Sequence, residues 1–206
     1  MKERYKKAVE AAAELFLTKG IGEVKMTDIA DKANIGVASL YRAFETKAEI
    51  TIQAGILLWN NVQKDFLDYI GTAKDNLSGK EELEFFLSYF KILFNKHKAF
   101  IKFLDDFDHL MLSEKIDPQK LSEYEDCVIN LQEPLLDAYT KGVKDKSLRK
   151  NVNIKLVYSS VTKALIAVSQ KYLRGNILPG DNFSEAEKEL EELVTMTVYY
   201  LSQKNK

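Results

Sequence analysis

Apolar residues three or four positions apart recur through most of this 206-residue sequence, and few residues interrupt them. Steps of three and four place side chains on one face of an α-helix, whereas strands need alternation. Three prolines and nine glycines are present, and most of them fall between the apolar stretches. We therefore expect an all-α fold of about nine helices.

Three dipeptides mark expected helix ends. A cation in the last turn interacts favourably with the helix dipole, and a glycine just beyond it adopts the left-handed conformation that closes many helices. The dipeptides are Lys19-Gly20, Lys141-Gly142 and Arg174-Gly175. We predict a helix end at each of them, and a mostly polar linker over residues 141–153.

The composition narrows the class of protein. A hydrophobic content of 46% is enough for a core, and the single cysteine, Cys127, cannot form an internal disulfide. No window approaches the roughly 18 uncharged apolar residues that a membrane span needs. We expect a cytoplasmic protein without a membrane segment, a cofactor or a bound metal.

Catalytic motifs are nearly absent from the sequence. Di-metal sites in helical bundles use two motifs in which an acidic residue precedes a histidine by three positions. Asp106 and His109 match one such motif, half of a metal pair. Phe94, however, stands three positions before His97, where a second motif would need an acidic residue. There is no phosphate-binding glycine loop and no nucleophile elbow. We interpret Asp106 and His109 as part of a polar helix face, and we expect no enzyme.

The most specific pattern lies in residues 27–47, TDIADKANIGVASLYRAFETK. Thr27 is predicted to be the N-cap of a helix, with acidic residues in its first turn. Asn34 follows where the backbone must turn, and asparagine tolerates a left-handed conformation well. Leu40 and Phe44 form an apolar pair four residues apart on the next helix. The segment predicts two short helices joined by a tight turn.

Together with the helix before it, this segment resembles the N-terminal DNA-binding domain of the TetR family of transcriptional regulators. The similarity covers about residues 5 to 55, and its landmarks keep the order and spacing of the family: Leu15-Phe16, Lys19-Gly20, Thr27, Ile29-Ala30, Ala33, Leu40-Tyr41, Phe44 and Lys47. It implies a three-helix helix-turn-helix domain over residues 1–47. A helical ligand-binding and dimerisation domain would follow over residues 48–206.

The resemblance also implies a function. It indicates a transcriptional regulator, a repressor in preference to an activator, that binds a pseudo-palindromic operator in double-stranded DNA as a homodimer and is released by a small-molecule effector. The implied DNA contacts are phosphate binding by Thr27, Tyr41 and Lys47, base reading by Ser39 and Arg42, and apolar contact with thymine methyls by Val37 and Ala38.

Charge gives this interpretation little support. The chain has a net charge of -1, and the first fifty residues hold nine Lys or Arg against eight Asp or Glu, a balance of +1. Ala43 also replaces a histidine or aromatic residue that the family often has there, which removes a phosphate contact. Two outcomes follow from this change: either DNA affinity is lower, or a basic N-terminal arm between Lys2 and Lys7 compensates for it.

Two further sets of residues are candidate sites. Aromatic residues that either form plain core or line a cavity for an apolar or aromatic effector are Trp59, Phe66, Phe86, Phe90, Phe103, Phe107 and Tyr124. By analogy with the family, the last two helices would form the dimer interface, although packing within one chain gives the same pattern. The candidates there are Leu165, Val168, Tyr172, Leu193 and Thr197.

A second class of protein accounts for many of the same features. In a helical small-molecule binding or scaffold protein without DNA binding, Tyr41 would be a core aromatic and Thr27 only a helix cap. Core packing, however, does not require Arg42 and Lys47 in addition. These two cations favour the DNA-binding regulator.

Overall fold

The computed structural model describes residues 2–73, 75–129, 132–175, 178, 180 and 182–202. Across these residues the chain forms ten α-helices and two short 3-10 helices. The β-structure in these described residues is limited to one isolated antiparallel bridge between Leu148 and Ser202. The predicted all-α class is confirmed.

The helices follow one another with short connections. They are α1 (Lys2–Lys19), α2 (Met26–Ala33), α3 (Val37–Ala43), α4 (Lys47–Ile70), α5 (Gly79–Lys96), α6 (Lys98–Ser113), a 3-10 helix (Pro118–Leu121), α7 (Ser122–Ile129), α8 (Glu133–Lys144), α9 (Ile154–Arg174), a 3-10 helix (Phe183–Glu185) and α10 (Ala186–Leu201). None of the described helices is both long and apolar enough to cross a lipid bilayer.

Two of the three predicted helix ends are confirmed. Helix α1 ends at Lys19 and α9 at Arg174, and the glycine after each has a positive φ, +84° at Gly20 and +104° at Gly175. The prediction at Gly142 is wrong, because α8 continues to Lys144. A Cβ atom at Gly142 would lie 2.5 Å from Leu148 Cδ1, so glycine is needed there for close packing.

The start of α2 also differs from the prediction. Thr27 is not the N-cap, because the helix begins at Met26 and Lys25 occupies the cap position with an extended backbone. The Asp28 carboxylate accepts a hydrogen bond from the Lys25 backbone N–H at 2.8 Å. An acceptor inside the first turn therefore caps the helix in place of the Thr27 hydroxyl.

The chain forms two compact units, which do not coincide with a division after residue 47. One unit comprises Met1–Gln63 with Lys102–Val128, and the other Lys64–Ile101 with Ile129–Lys206. Helix α4 is continuous from Lys47 to Ile70, so the backbone does not break at the predicted boundary. The functional division at that boundary stays a prediction.

In the first unit, a small apolar core fixes the three N-terminal helices. Phe16 of α1, Ile29 of α2 and Leu40 of α3 are almost completely buried. The Phe16 ring lies against Phe103 of α6, with 6.3 Å between the ring centroids. The three helices therefore share one core with part of α6, and α3 presents its other face to solvent.

In the second unit, α5, α8, α9 and α10 pack around leucine side chains. Leu83, Leu165 and Leu190 are almost completely buried. Gly79 allows α5 to approach α8 closely, because a Cβ atom there would overlap the backbone of Gly142. Two glycines thus set the distance between these helices.

Candidate nucleic-acid interface

The connection between α2 and α3 is a tight turn around Asn34. Asn34 has φ 53° and ψ 50°, the left-handed conformation that the sequence predicted. The Ile35 backbone N–H donates to the Ala30 carbonyl oxygen at 3.0 Å, which satisfies one of the last carbonyls of α2. The two short helices are held as a helix-turn-helix.

Helix α3 divides its residues between core and solvent. Leu40 is buried, and so is Phe44 just after the helix. On the opposite side Tyr41 is 49% exposed, and Arg42 is also exposed. Among the other predicted base contacts Ala38 is exposed, whereas Val37 and Ser39 are half-buried. The five predicted α3 residues all retain surface that a ligand could reach.

Arg42 is held by neighbours on its own helix. Its Nη2 donates to Ser39 Oγ at 3.1 Å, and its Nε donates to the Ala38 carbonyl oxygen at 3.2 Å. A guanidinium group has five N–H donors, and these bonds use two of them. The group is therefore oriented along α3 while it still presents donors to solvent, as base recognition requires.

Lys47 and Thr27 lie outside α3. The Lys47 Nζ is 3.5 Å from the Gly22 carbonyl oxygen. Partial burial lowers the pKa of the Lys47 ammonium, against the opposing effect of nearby carboxylates. Thr27 is exposed in the first turn of α2, a position from which a hydroxyl can donate to an anion.

The turn between α3 and α4 contains a capping arrangement that the sequence reasoning missed. Thr46 Oγ1 accepts from the Glu49 backbone N–H at 3.2 Å, and Glu49 Oε2 accepts from the Glu45 backbone N–H at 2.9 Å. The sequence carries the signal for it, a threonine followed three residues later by a glutamate. Lys120 also bonds to the Glu49 carboxylate, and no local pattern signals that contact.

The basic residues near the N-terminus form the start of α1, not a separate arm. Lys7 lies 3.2 Å from Glu3 and Lys6 lies 3.6 Å from Glu10, so two of the cations pair with carboxylates one turn away. Tyr5 stacks on Phe44 with 4.7 Å between ring centroids, which joins α1 to the end of α3. Compensation for Ala43 by these cations stays a prediction.

The predicted effector residues divide between the two units. Trp59, Phe103, Phe107 and Tyr124 belong to the first, and Phe66, Phe86 and Phe90 to the second. Phe107 and Tyr124 stack at 4.3 Å in the first unit, and Phe66 meets Phe86 edge-on at 6.3 Å in the second. All seven are buried or half-buried. Their role in an effector cavity stays a prediction.

The predicted dimer residues do not share one environment. Leu165 is completely buried within the chain, so it offers no surface to a partner. Val168 and Tyr172 are half-buried, and the Tyr172 hydroxyl donates to Glu189 at 2.6 Å. Leu193 and Thr197 line a groove of about 430 Å³ between α9 and α10.

The half metal pair considered from the sequence does not form. Asp106 Oδ2 accepts the Ile21 backbone N–H at 3.1 Å, and His109 Nδ1 instead lies 2.8 Å from the Asp105 carbonyl oxygen. No cluster of three or more histidine, cysteine or acidic residues able to hold a metal occurs in the described part of the chain. Asp106 has a structural role in the turn after α1.

A helix-turn-helix of this size, with an exposed second helix that carries an oriented arginine, defines the chain as a DNA-binding protein of the helix-turn-helix class. Residues 8–54 match the family model described as bacterial regulatory proteins of the tetR family. Residues 8–54 therefore form a DNA-binding domain similar to that of the TetR family, and the chain is a transcriptional regulator that resembles this family.

Known relatives agree with this assignment. The transcriptional repressor KstR2 of Rhodococcus jostii is 27% identical over 156 residues, which cover 73% of this chain and 70% of that protein. The structure of the ketosteroid regulator KstR2 of Mycobacterium tuberculosis superposes with a TM-score of 0.57 at 19% identity, over 98% and 96% of the two chains. A putative regulator from Saccharomonospora viridis in complex with choline gives 0.71 at 14% identity, over 99% and 100%.

Proposed function

We propose that the chain is a ligand-responsive repressor that acts in the cytoplasm and binds a pseudo-palindromic operator as a homodimer. The exposed face of α3, with Arg42 oriented by Ser39 and Tyr41 beside them, carries this proposal. The similarity to the KstR2 repressors supports repression in preference to activation.

Seven residues in and beside the helix-turn-helix have a proposed role. Arg42 and Ser39 read base edges in the major groove, and Val37 and Ala38 contact thymine methyls. The phosphate-binding residues are Thr27, Tyr41 and Lys47. Since phosphates carry no base information, these three position the protein, and the α3 pair supplies sequence preference.

The proposed homodimer forms through α9 and α10. Three apolar side chains on this face are strongly exposed, Leu156 at 62%, Met196 at 51% and Tyr200 at 53%. They line the same groove as Leu193 and Thr197. A two-fold axis along this face would bury the exposed apolar surface of both copies at once.

The proposed effector is a small apolar or aromatic compound. Aromatic side chains are suitable for burying such a ligand, and they are concentrated in both units. One relative is named as a ketosteroid regulator, and another protein of this fold was solved with choline. A steroid is therefore the first probe to test, and choline, which is cationic, is the comparison.

Selection of an operator from a random DNA pool, followed by footprinting, tests this function. We expect the purified chain to protect two half-sites related by two-fold symmetry, and an effector to abolish the protection. Protection no stronger than that of unrelated DNA at the same salt concentration would overturn the proposal.

A further inference from the structure

The turn that follows the recognition helix α3 depends on one carboxylate. Glu49 Oε2 accepts the Glu45 backbone N–H, and the Glu49 backbone N–H donates to Thr46. These reciprocal bonds fix residues 44–46, which join α3 to the first turn of α4. Lys47, a proposed phosphate contact, lies inside the same turn.

The second oxygen of this carboxylate is bonded by a residue far away in the sequence. Lys120 Nζ donates to Glu49 Oε1 at 3.1 Å, across a separation of 71 residues. Lys120 lies in the 3-10 helix Pro118–Leu121, whose start is fixed because Asp117 Oδ1 accepts the Gln119 backbone N–H at 3.0 Å. The cation therefore comes from a locally ordered turn.

The 3-10 helix that holds Lys120 leads directly into the aromatic pair formed by Phe107 and Tyr124 in the first unit. Helix α7 follows it directly, and Tyr124 of α7 stacks on Phe107 of α6. The Tyr124 ring lies so close to α4 that a Cβ atom at Gly55 would be 2.7 Å from its Cε2. A displacement of Tyr124 would therefore also displace Lys120.

We infer that Lys120 and Glu49 form a positioning pair, through which the segment 117–124 controls the turn after α3 and hence the orientation of the recognition helix. Neither residue needs to touch DNA. When the segment moves, the pair separates, Glu49 Oε1 no longer has its cation, and the turn that the same carboxylate caps loosens. This inference rests on the proposed function, since it assigns regulation to the same DNA-binding surface.

The expected effect of breaking the pair is small. Lys120 and Glu49 have side chains 56% and 28% exposed, and partly exposed ion pairs contribute little to stability. We expect Lys120→Met to weaken operator binding by about two- to fivefold. Glu49→Gln should weaken it similarly, because glutamine can still accept the Glu45 N–H and loses only the charge.

A double-mutant cycle tests the pair. Operator affinity is measured by fluorescence anisotropy at one salt concentration for the native chain, Lys120→Met, Glu49→Gln and the double variant. We expect the double variant to bind no more weakly than either single variant. Lys102→Met is the matched control, since it removes an exposed cation from α6 in the same unit. Effects that add, or an equal effect in the control, would overturn the inference.

Amide hydrogen exchange separates this inference from the proposed function. We expect Lys120→Met to speed exchange in residues 44–49 while Lys120→Arg restores the native rate. If the native chain binds no operator, the proposed function fails, and the exchange experiment still decides whether the pair exists. Unchanged exchange in Lys120→Met would overturn the positioning pair even if operator binding is intact.

Discussion

At the scale of single residues, the proposed DNA-binding surface depends on side chains whose orientation is fixed before DNA binds. The Arg42 guanidinium is bonded to Ser39 and to the Ala38 carbonyl, which reduces the conformational entropy cost of binding. Lys47 is partly buried against the Gly22 carbonyl. We expect these constraints to offset in part the low net charge of +1 in the first fifty residues.

Replacement of Arg42 by alanine should remove sequence preference at one base position. We expect discrimination there to fall by about 1–3 kcal/mol, because alanine cannot make a bidentate hydrogen bond to a base edge. Competition binding with operators that differ at single positions measures it. Lys102→Ala is the matched control, because it removes an exposed cation from α6, outside the proposed DNA-binding surface, and should leave discrimination unchanged. A uniform decrease in affinity across all sequences in Arg42→Ala would contradict a base-reading role.

Replacement of Lys47 by alanine should weaken DNA binding without changing sequence preference, in contrast to Arg42→Ala. A phosphate contact contributes equally to every sequence, so affinity should fall for operator and unrelated DNA alike. The slope of log affinity against log salt should become shallower by about one for each phosphate that Lys47 no longer neutralises. Titrations at several salt concentrations measure the slope. An unchanged slope would assign Lys47 to a structural role only.

Tyr158 on α9 makes stability depend on pH in the alkaline range. Burial raises the pKa of its phenol to about 12 from an ordinary value of 10.0. The folded state therefore favours the neutral phenol. The contribution of this phenol to the free energy of unfolding is fully present below pH 10 and is lost as the pH rises towards 12, because the unfolded chain loses the proton first. Denaturation in urea should show a smaller decrease in stability between these pH values for Tyr158→Phe than for the native chain. Equal decreases would contradict this prediction.

At the scale of helices, close contacts decide where glycine is required. Gly79 begins α5 and lies against the backbone of Gly142 in α8. A methyl group at Gly79 would overlap that backbone, and the two helices would have to move apart to accommodate it. By contrast, Gly20 and Gly175 are required by their positive φ angles at helix ends. The same residue type therefore serves two purposes, and helix packing uses the glycines that helix termination does not.

Substitution of Gly79 by alanine tests the packing role. Helix propensity alone predicts a gain in stability, whereas overlap with Gly142 predicts a decrease of about 1–3 kcal/mol or more. Urea denaturation measures the difference in the free energy of unfolding, which can be compared directly if the m-value is unchanged. Gly22→Ala is the control, because no described atom lies within 4 Å of the added Cβ. A stabilised Gly79→Ala variant would show that the two helices can separate without cost.

At the scale of the whole molecule, the exposed apolar face of α9 and α10 is the feature that a single chain does not explain. Tyr200 on this face is held by Arg149, whose guanidinium lies 3.7 Å from the ring centroid. Side chains that are ordered within the chain while their apolar surface remains exposed are suited to a rigid interface.

Charge placed on this face should dissociate the proposed homodimer. We expect Met196→Glu to convert a dimer into a 23.6 kDa monomer, because two carboxylates would be buried near the two-fold axis. Light scattering at micromolar concentration measures the mass, and operator affinity should fall with it. The control is Leu112→Glu, which changes a 79% exposed leucine on α6. A native chain that is already monomeric would refute the dimer.

Features that depend only on neighbouring residues could be predicted from the sequence. Helical spacing predicted the all-α class, and Asn34 and the Lys19-Gly20 pair predicted their backbone turns, because a left-handed conformation is a local property. The order of residues 27–47 was enough to predict the helix-turn-helix. A capping box at Thr46 and Glu49 was also readable from local spacing.

Other features depend on contacts between residues that are far apart in the sequence. Gly142 carries the local pattern of a helix end and serves close packing, and Leu165 carries the pattern of an interface and is buried within the chain. The pair between Lys120 and Glu49 joins residues that no short-range pattern connects. The physical reason is common to all three cases: local spacing predicts a helix face, and only the assembled fold decides what that face meets.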